Sequence, residues 1–271
     1  MSALATVVSW TAPAHAYHTE VDRQTDFSAF TLRQNQFRVG IFEAEYGILN
    51  SLMVGVYNAP WVLWVVLQRP ALSAYAKWKF LDTGRFAMSA RGTLFYFDVD
   101  ELSLGDVADE GSFRATIIPL TLAASYVVDD TWTVNAEGIW VQTFLGGDVT
   151  TDDVQALGSG AQNNLQFTLS GEYRLTRVTA LNLIGRWAPV VSNANINSTA
   201  EVDAATSGDL EASIRFDELA NSWLVQAGVT FSWEWINVQA ALGYGDLFIP
   251  GLRVVAPDKT LVPDLAVYAR F

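Results

Sequence analysis

Apolar and polar residues alternate with a period of two along most of the chain, most clearly between Asn163 and Leu175. There Leu165, Phe167, Leu169, Tyr173 and Leu175 share one face and Gln166, Thr168, Ser170, Glu172 and Arg174 the other, because successive side chains of a strand point to opposite sides. The following segment agrees, with Leu181, Leu183 and Trp187 opposite Asn182 and Arg186. About twelve such segments are predicted, near residues 26 to 33, 37 to 49, 52 to 59, 71 to 81, 86 to 98, 113 to 128, 131 to 146, 163 to 175, 179 to 192, 223 to 232, 235 to 247 and 261 to 271. Within 37 to 49 the phase slips: Phe37, Val39 and Ile41 share one face, whereas Phe42, Ala44, Tyr46 and Ile48 share the other. A bulge near Ile41 is the simplest way to absorb the slip.

The connections also alternate. Short polar turns at Asn50-Ser51, Asp82 to Arg85, Asp129-Asp130, Thr176-Arg177 and Ser232 to Glu234 are interleaved with long stretches at 98 to 112, 146 to 162, 193 to 222 and 248 to 260. Short turns on one side and long loops on the other are the connections of a transmembrane β-barrel. The predicted fold is therefore all-β, a closed antiparallel transmembrane barrel of about twelve strands with short periplasmic turns, long acidic extracellular loops and both ends of the barrel on the periplasmic side. A soluble sandwich or lipocalin-like binder has the same periodicity with its apolar face inward. Aromatic residues separate the two. Phe80, Tyr126, Trp132, Tyr173, Trp233 and Trp235 fall beside the short turns, and Tyr96, Trp140, Trp187, Tyr244 and Phe248 towards the long loops, which predicts two interfacial belts. The longest uninterrupted apolar run, Trp61 to Leu67 between Pro60 and Pro70, is too short for a helical span. It fits a short helix or loop at the membrane surface, or an extension of the neighbouring strand.

Composition supports a membrane barrel. The 271 residues are 51% hydrophobic and 13% aromatic, carry a formal charge of -13 and include no cysteine. That acidity argues against nucleic-acid binding, which needs clustered Lys and Arg. Residues 1 to 16 lack charged side chains and end in Ala14-His15-Ala16, a pattern of a secretory signal peptide. A polar periplasmic segment, 17 to 25, would follow, with the barrel over 26 to 271.

Candidate chemistry lies on the inward face. Glu43, Glu45, Lys77, Lys79, Arg91, Glu137, Glu172, Arg174 and Arg186 would line either a narrow charged path or a lumen closed by ion pairs, since twelve strands lie between filled small barrels and open large ones. Catalysis is not expected: the only histidines, His15 and His18, precede the barrel, which leaves no Ser-His or zinc site within it. No cofactor and no defined metal site is expected. The acidic stretches, including Glu201, Asp203, Asp209, Glu211, Asp217 and Glu218, match no calcium-loop spacing and read as solvated loops.

The C-terminal segment, Leu261 to Phe271, alternates and stops on an aromatic. It resembles the last strand of bacterial outer-membrane β-barrels, which ends in Phe and is read by the barrel-assembly machinery. Val267, Tyr268 and Phe271 would carry that signal, with Ala269 standing where the family usually has another aromatic. The run RVGIFEAEYGILNSLMVGVY, from Arg38 to Tyr57, with its Glu45-Tyr46-Gly47 motif before a tight turn, resembles the opening strands of the MetA-like outer-membrane transporters of phenol-degradation pathways. These resemblances imply a passive pore or transporter for small solutes in a bacterial outer membrane, in contact with its lipid and lipopolysaccharide. The alternative is a non-conducting structural or adhesive barrel that binds a partner or lipopolysaccharide through its acidic loops.

Overall fold

A computed structural model of the chain describes residues 26–67, 70–99, 110–150, 154–202, 221–233, 235–249 and 254–271. The signal-peptide and periplasmic-segment expectations, and the acids from 203 to 218, lie outside them. Twelve antiparallel strands close into one barrel in which each pairs with its chain neighbours and β1 pairs with β12. In order they are β1 (Phe37–Gly40), β2 (Glu43–Leu49), β3 (Leu52–Tyr57), β4 (Ala71–Asp82), β5 (Phe86–Val99), β6 (Glu110–Val127), β7 (Trp132–Thr150), β8 (Val154–Arg174), β9 (Thr179–Val202), β10 (Ser222–Ser232), β11 (Ile236–Ile249) and β12 (Val254–Arg270). Among the described residues one helix, α1 (Asn58–Leu67), follows β3 and precedes β4.

The strand number agrees with the sequence, but its membership differs. Residues 26–33 do not form a strand; they run inside the barrel as a strap. The 37 to 49 run is two strands rather than one bulged strand, with the turn at Ile41 and Phe42 where the phase slips. The two errors cancel in the count.

Strands also run further than the alternation suggests, most of all β7 to Thr150, β8 from Val154, β9 to Val202 and β12 from Val254. Much of what reads as loop is ladder, as in the pairs Gly158↔Ser198 and Gly160↔Ile196. Apolar alternation marks a wall with different surroundings on its two faces. Where water lies on both sides the alternation fades while backbone pairing continues.

Burial is inside out. Leu169, Leu183, Trp187, Leu242, Leu265 and Leu122 are exposed on the outer face, while Ser170, Asn182, Arg186, Gln226, Gln239 and Thr121 are buried within. That is the arrangement of a barrel solvated by lipid and not of a soluble sandwich. Trp78, Tyr126, Trp132, Trp233 and Trp235 are exposed beside the short turns, and Trp140, Trp187 and Tyr244 are exposed further up. Phe248 does not belong to the upper belt. It points inward and packs with Ala188, Leu224 and Val262, because the pairing register shifts between Gly245 and Leu247 and reverses the facing of the residues beyond the shift.

Candidate functional site: the lumen and its strap

Two groups of contacts fill the interior. The wall contributes Glu43, Glu45, Lys77, Arg91, Glu137, Glu172 and Arg186, all buried. Arg174 is half-buried near the short-turn end of β8. Lys79 lies at the rim, with its Nζ 2.6 Å from an Asp82 carboxylate oxygen. Along β5 and β7 the inward positions change character with height. Ser89, Arg91, Asn135 and Glu137 are followed by Phe95, Ile139 and Val141. Phe95, Ile117, Ile139 and Val141 form one apolar patch with Tyr57 and Phe97 against it, and the Phe248 cluster forms another. A polar and charged girdle therefore lies nearer the short turns, with apolar patches above it.

The strap fills the girdle. Ser28, Ala29, Phe30, Thr31 and Leu32 are all buried, held by bonds to widely separated strands. The Ala29 amide donates to Ser125 Oγ at 2.7 Å, Lys77 Nζ to the Ser28 carbonyl at 2.7 Å, and Thr31 Oγ1 to the Asn50 carbonyl at 2.9 Å. Phe30 packs with Ala87 and Ala123, and Leu32 with Met53 and Tyr75. Phe27 lies beneath the Arg186 guanidinium, 4.6 Å from its ring centroid. The strap then turns back through Asn35, at φ 64°, and meets β2 through Asn35 N to Gly47 O at 2.8 Å and Gly47 N to Gln36 O at 2.9 Å. A Cβ on Gly47 would overlap the Arg33 carbonyl, so the motif glycine is where the strap crosses the wall.

Arg38 clamps the strap to the wall. Its guanidinium is 2.5 Å from Asp26, 2.8 Å from Glu43 and 2.9 Å from Glu45, and it stacks on Tyr268 with the ring centroid 4.0 Å away. Glu45 also accepts a hydrogen bond from Tyr75 Oη. Burial pushes the Asp26 carboxyl up, but the charge and hydrogen bonds of Arg38 outweigh it and hold that carboxyl well below the usual range. Asp26, Glu43 and Glu45 lie close enough to one another to suggest a cation site. The guanidinium already supplies the positive charge among them, in the planar two-pronged geometry that suits carboxylates.

Sequence reasoning places neither Asp26 nor Arg38 in the lumen. The signal for Arg38 is present, as the one cation between Phe37 and Val39 in a short alternating run. At the C-terminus Tyr268 is buried in the lumen, Val267 is half-buried, and Phe271 is exposed at the seam. There Phe37 and Phe271 exchange backbone hydrogen bonds of 3.1 and 3.0 Å.

No protein-family model matches the sequence, and no curated protein matches it. Solved structures do resemble the fold. A mutant of the TodX monoaromatic hydrocarbon channel aligns over 90% of this chain and 68% of its own at 12% identity, with a TM-score of 0.50. OmpT, an outer-membrane protein of Vibrio cholerae, aligns over 84% of this chain at 15% identity and a TM-score of 0.39, and the chain spans 62% of its length. The CymD monoaromatic hydrocarbon channel aligns over 89% of both chains at 10% identity and a TM-score of 0.35. The closed, inside-out, antiparallel architecture of this chain is that of a bacterial outer-membrane β-barrel.

Proposed function

We propose that the barrel is a conduit for small solutes across the outer membrane, obstructed at its short-turn end by its own N-terminal strap. One observation carries this reading: the girdle is filled by a separate segment held through hydrogen bonds and one buried ion cluster, rather than by wall side chains alone. Wall side chains are fixed to the barrel, whereas a strap can leave. The apolar patches around Phe95 and Phe248 favour an uncharged, partly apolar solute in the upper lumen, in keeping with the TodX hydrocarbon channel among the fold's neighbours. Catalysis forms no part of the proposal.

Planar-bilayer recording tests it. Wild type should conduct weakly or intermittently, and a variant lacking residues 26–33 should show larger, steadier conductance. Silence from both proteins, with insertion verified by heat-modifiable migration on SDS gels, would leave the non-conducting barrel as the reading.

A further inference from the structure

The wall is not equally tall all round. β1, β2 and β3 have 4, 7 and 6 residues, whereas a spanning strand needs about 9–11. At roughly 3.3 Å per residue and a tilt near 40°, β3 rises only about 15 Å above its turn, against an apolar band about 25 Å tall. Both the β1–β2 turn and the start of α1 therefore lie at the depth of the hydrocarbon, not above it.

Their chemistry matches that depth. Hairpin turns in water favour Gly, Asn and Asp, yet this one presents Ile41 at 61% and Phe42 at 54% exposure. Helix α1 has no charged residue, and Trp61, Val62, Leu63, Trp64 and Val65 are all exposed, Val65 by 80%. A helix that is apolar all round normally lies in a protein core or in a membrane. Exposure on consecutive positions removes the first option.

The backbone is arranged for the second. Lipid offers no hydrogen bonds, so polar groups at this depth need partners within the protein. Asn58 Nδ2 donates to the Gly40 and Ile41 carbonyls at 2.8 and 3.2 Å, and the Asn58 amide donates to the Phe42 carbonyl at 2.7 Å. The Ile41 amide reaches the Val267 carbonyl at 3.2 Å, and Trp61 Nε1 the Ser73 carbonyl at 3.0 Å.

We infer that α1 and the Ile41-Phe42 turn are a submerged part of the transmembrane wall, completing it above the low strands and solvated by acyl chains of the outer leaflet. This inference rests on the membrane reading of the barrel and is independent of conduction. The absence of cysteine makes single-site spin labelling direct. Nitroxides at Ile41→Cys, Val62→Cys and Val65→Cys, in protein reconstituted into bilayers, should collide with oxygen in preference to a water-soluble nickel complex. Their oxygen-to-nickel ratio should equal that of the wall position Leu183→Cys and exceed that of the turn position Arg85→Cys severalfold. Ratios at 41, 62 and 65 like that at 85 overturn the inference alone; a ratio at 183 like that at 85 overturns the membrane reading with it. As a second measurement, Val62→Lys should lower the temperature at which the barrel loses its folded gel migration, as Leu183→Lys does. An unchanged temperature for Val62→Lys counts against the inference.

Discussion

Arg38 is the residue on which the interior depends most. It is 2% exposed and faces Asp26, Glu43 and Glu45 at once, so Arg38→Gln would leave buried carboxylates without their counter-charge. Breaking a buried ion pair from one side costs about 3–5 kcal/mol, and the variant should lose its folded gel migration at a clearly lower temperature. Lys79→Gln, at the rim, removes a half-exposed pair worth about 0–1 kcal/mol and should migrate as wild type. The Asp26 contribution also has a defined pH window. Its carboxyl is held below the usual range, so the stabilisation is present above the unfolded value of about 3.9 and is lost as pH falls from there towards the lower folded value. The difference in melting temperature between wild type and Asp26→Asn should accordingly persist at neutral and mildly acidic pH and shrink below about pH 4. Of this cluster only Glu43 and Glu45 are legible in the sequence. Alternation reveals which way a strand residue faces; it does not reveal which distant segment meets it.

At the scale of elements, the strap and the extended ladders show where period-two reading fails. Residues 26–33 mix Phe27, Phe30 and Leu32 with Ser28 and Thr31 and resemble a strand. Protein surrounds Ser28 to Leu32 on every side, however, so the facing that makes a strand's pattern meaningful does not exist for them. Gly47 is the clearest test of their docking: Gly47→Val places atoms on the Arg33 carbonyl and should cost about 1–3 kcal/mol as overpacking, with conductance rising towards that of the variant lacking the strap. The tops of β8 and β9 fail in the opposite way, with pairing present and pattern absent. Hydrogen exchange should show it, because amides near Gly158 and Ser198 sit within an unbroken run of ladder pairs from Val154↔Val202 to Ala161↔Asn195 and should exchange far more slowly than a solvated loop. Exchange at loop rates there would refute the ladder. The lipid-facing spans between these regions are legible because lipid and lumen select opposite side chains on opposite faces.

For the whole molecule, the wall varies from 4 residues in β1 to 24 in β9. At about 3.3 Å per residue and a tilt near 40°, β9 rises roughly 60 Å, far above a band about 25 Å tall. The tall strands carry the barrel out of the membrane, while the low strands leave α1 within it. The seam between β1 and β12 is short, with Arg38↔Arg270, Val39↔Ala269 and Gly40↔Tyr268 in register and the Phe37–Phe271 exchange at its foot. These partners come from opposite ends of the barrel sequence, so their meeting carries the largest loop-closure cost of any pairing and should come late in assembly. The strap lies immediately before β1, and its Asp26 is clamped by a seam residue. Wrapping the remaining strands around the first hairpin thus encloses the strap as the circle completes. A strap enclosed in this way is in place before the seam closes, so the wall and the filling of its lumen are completed in the same step.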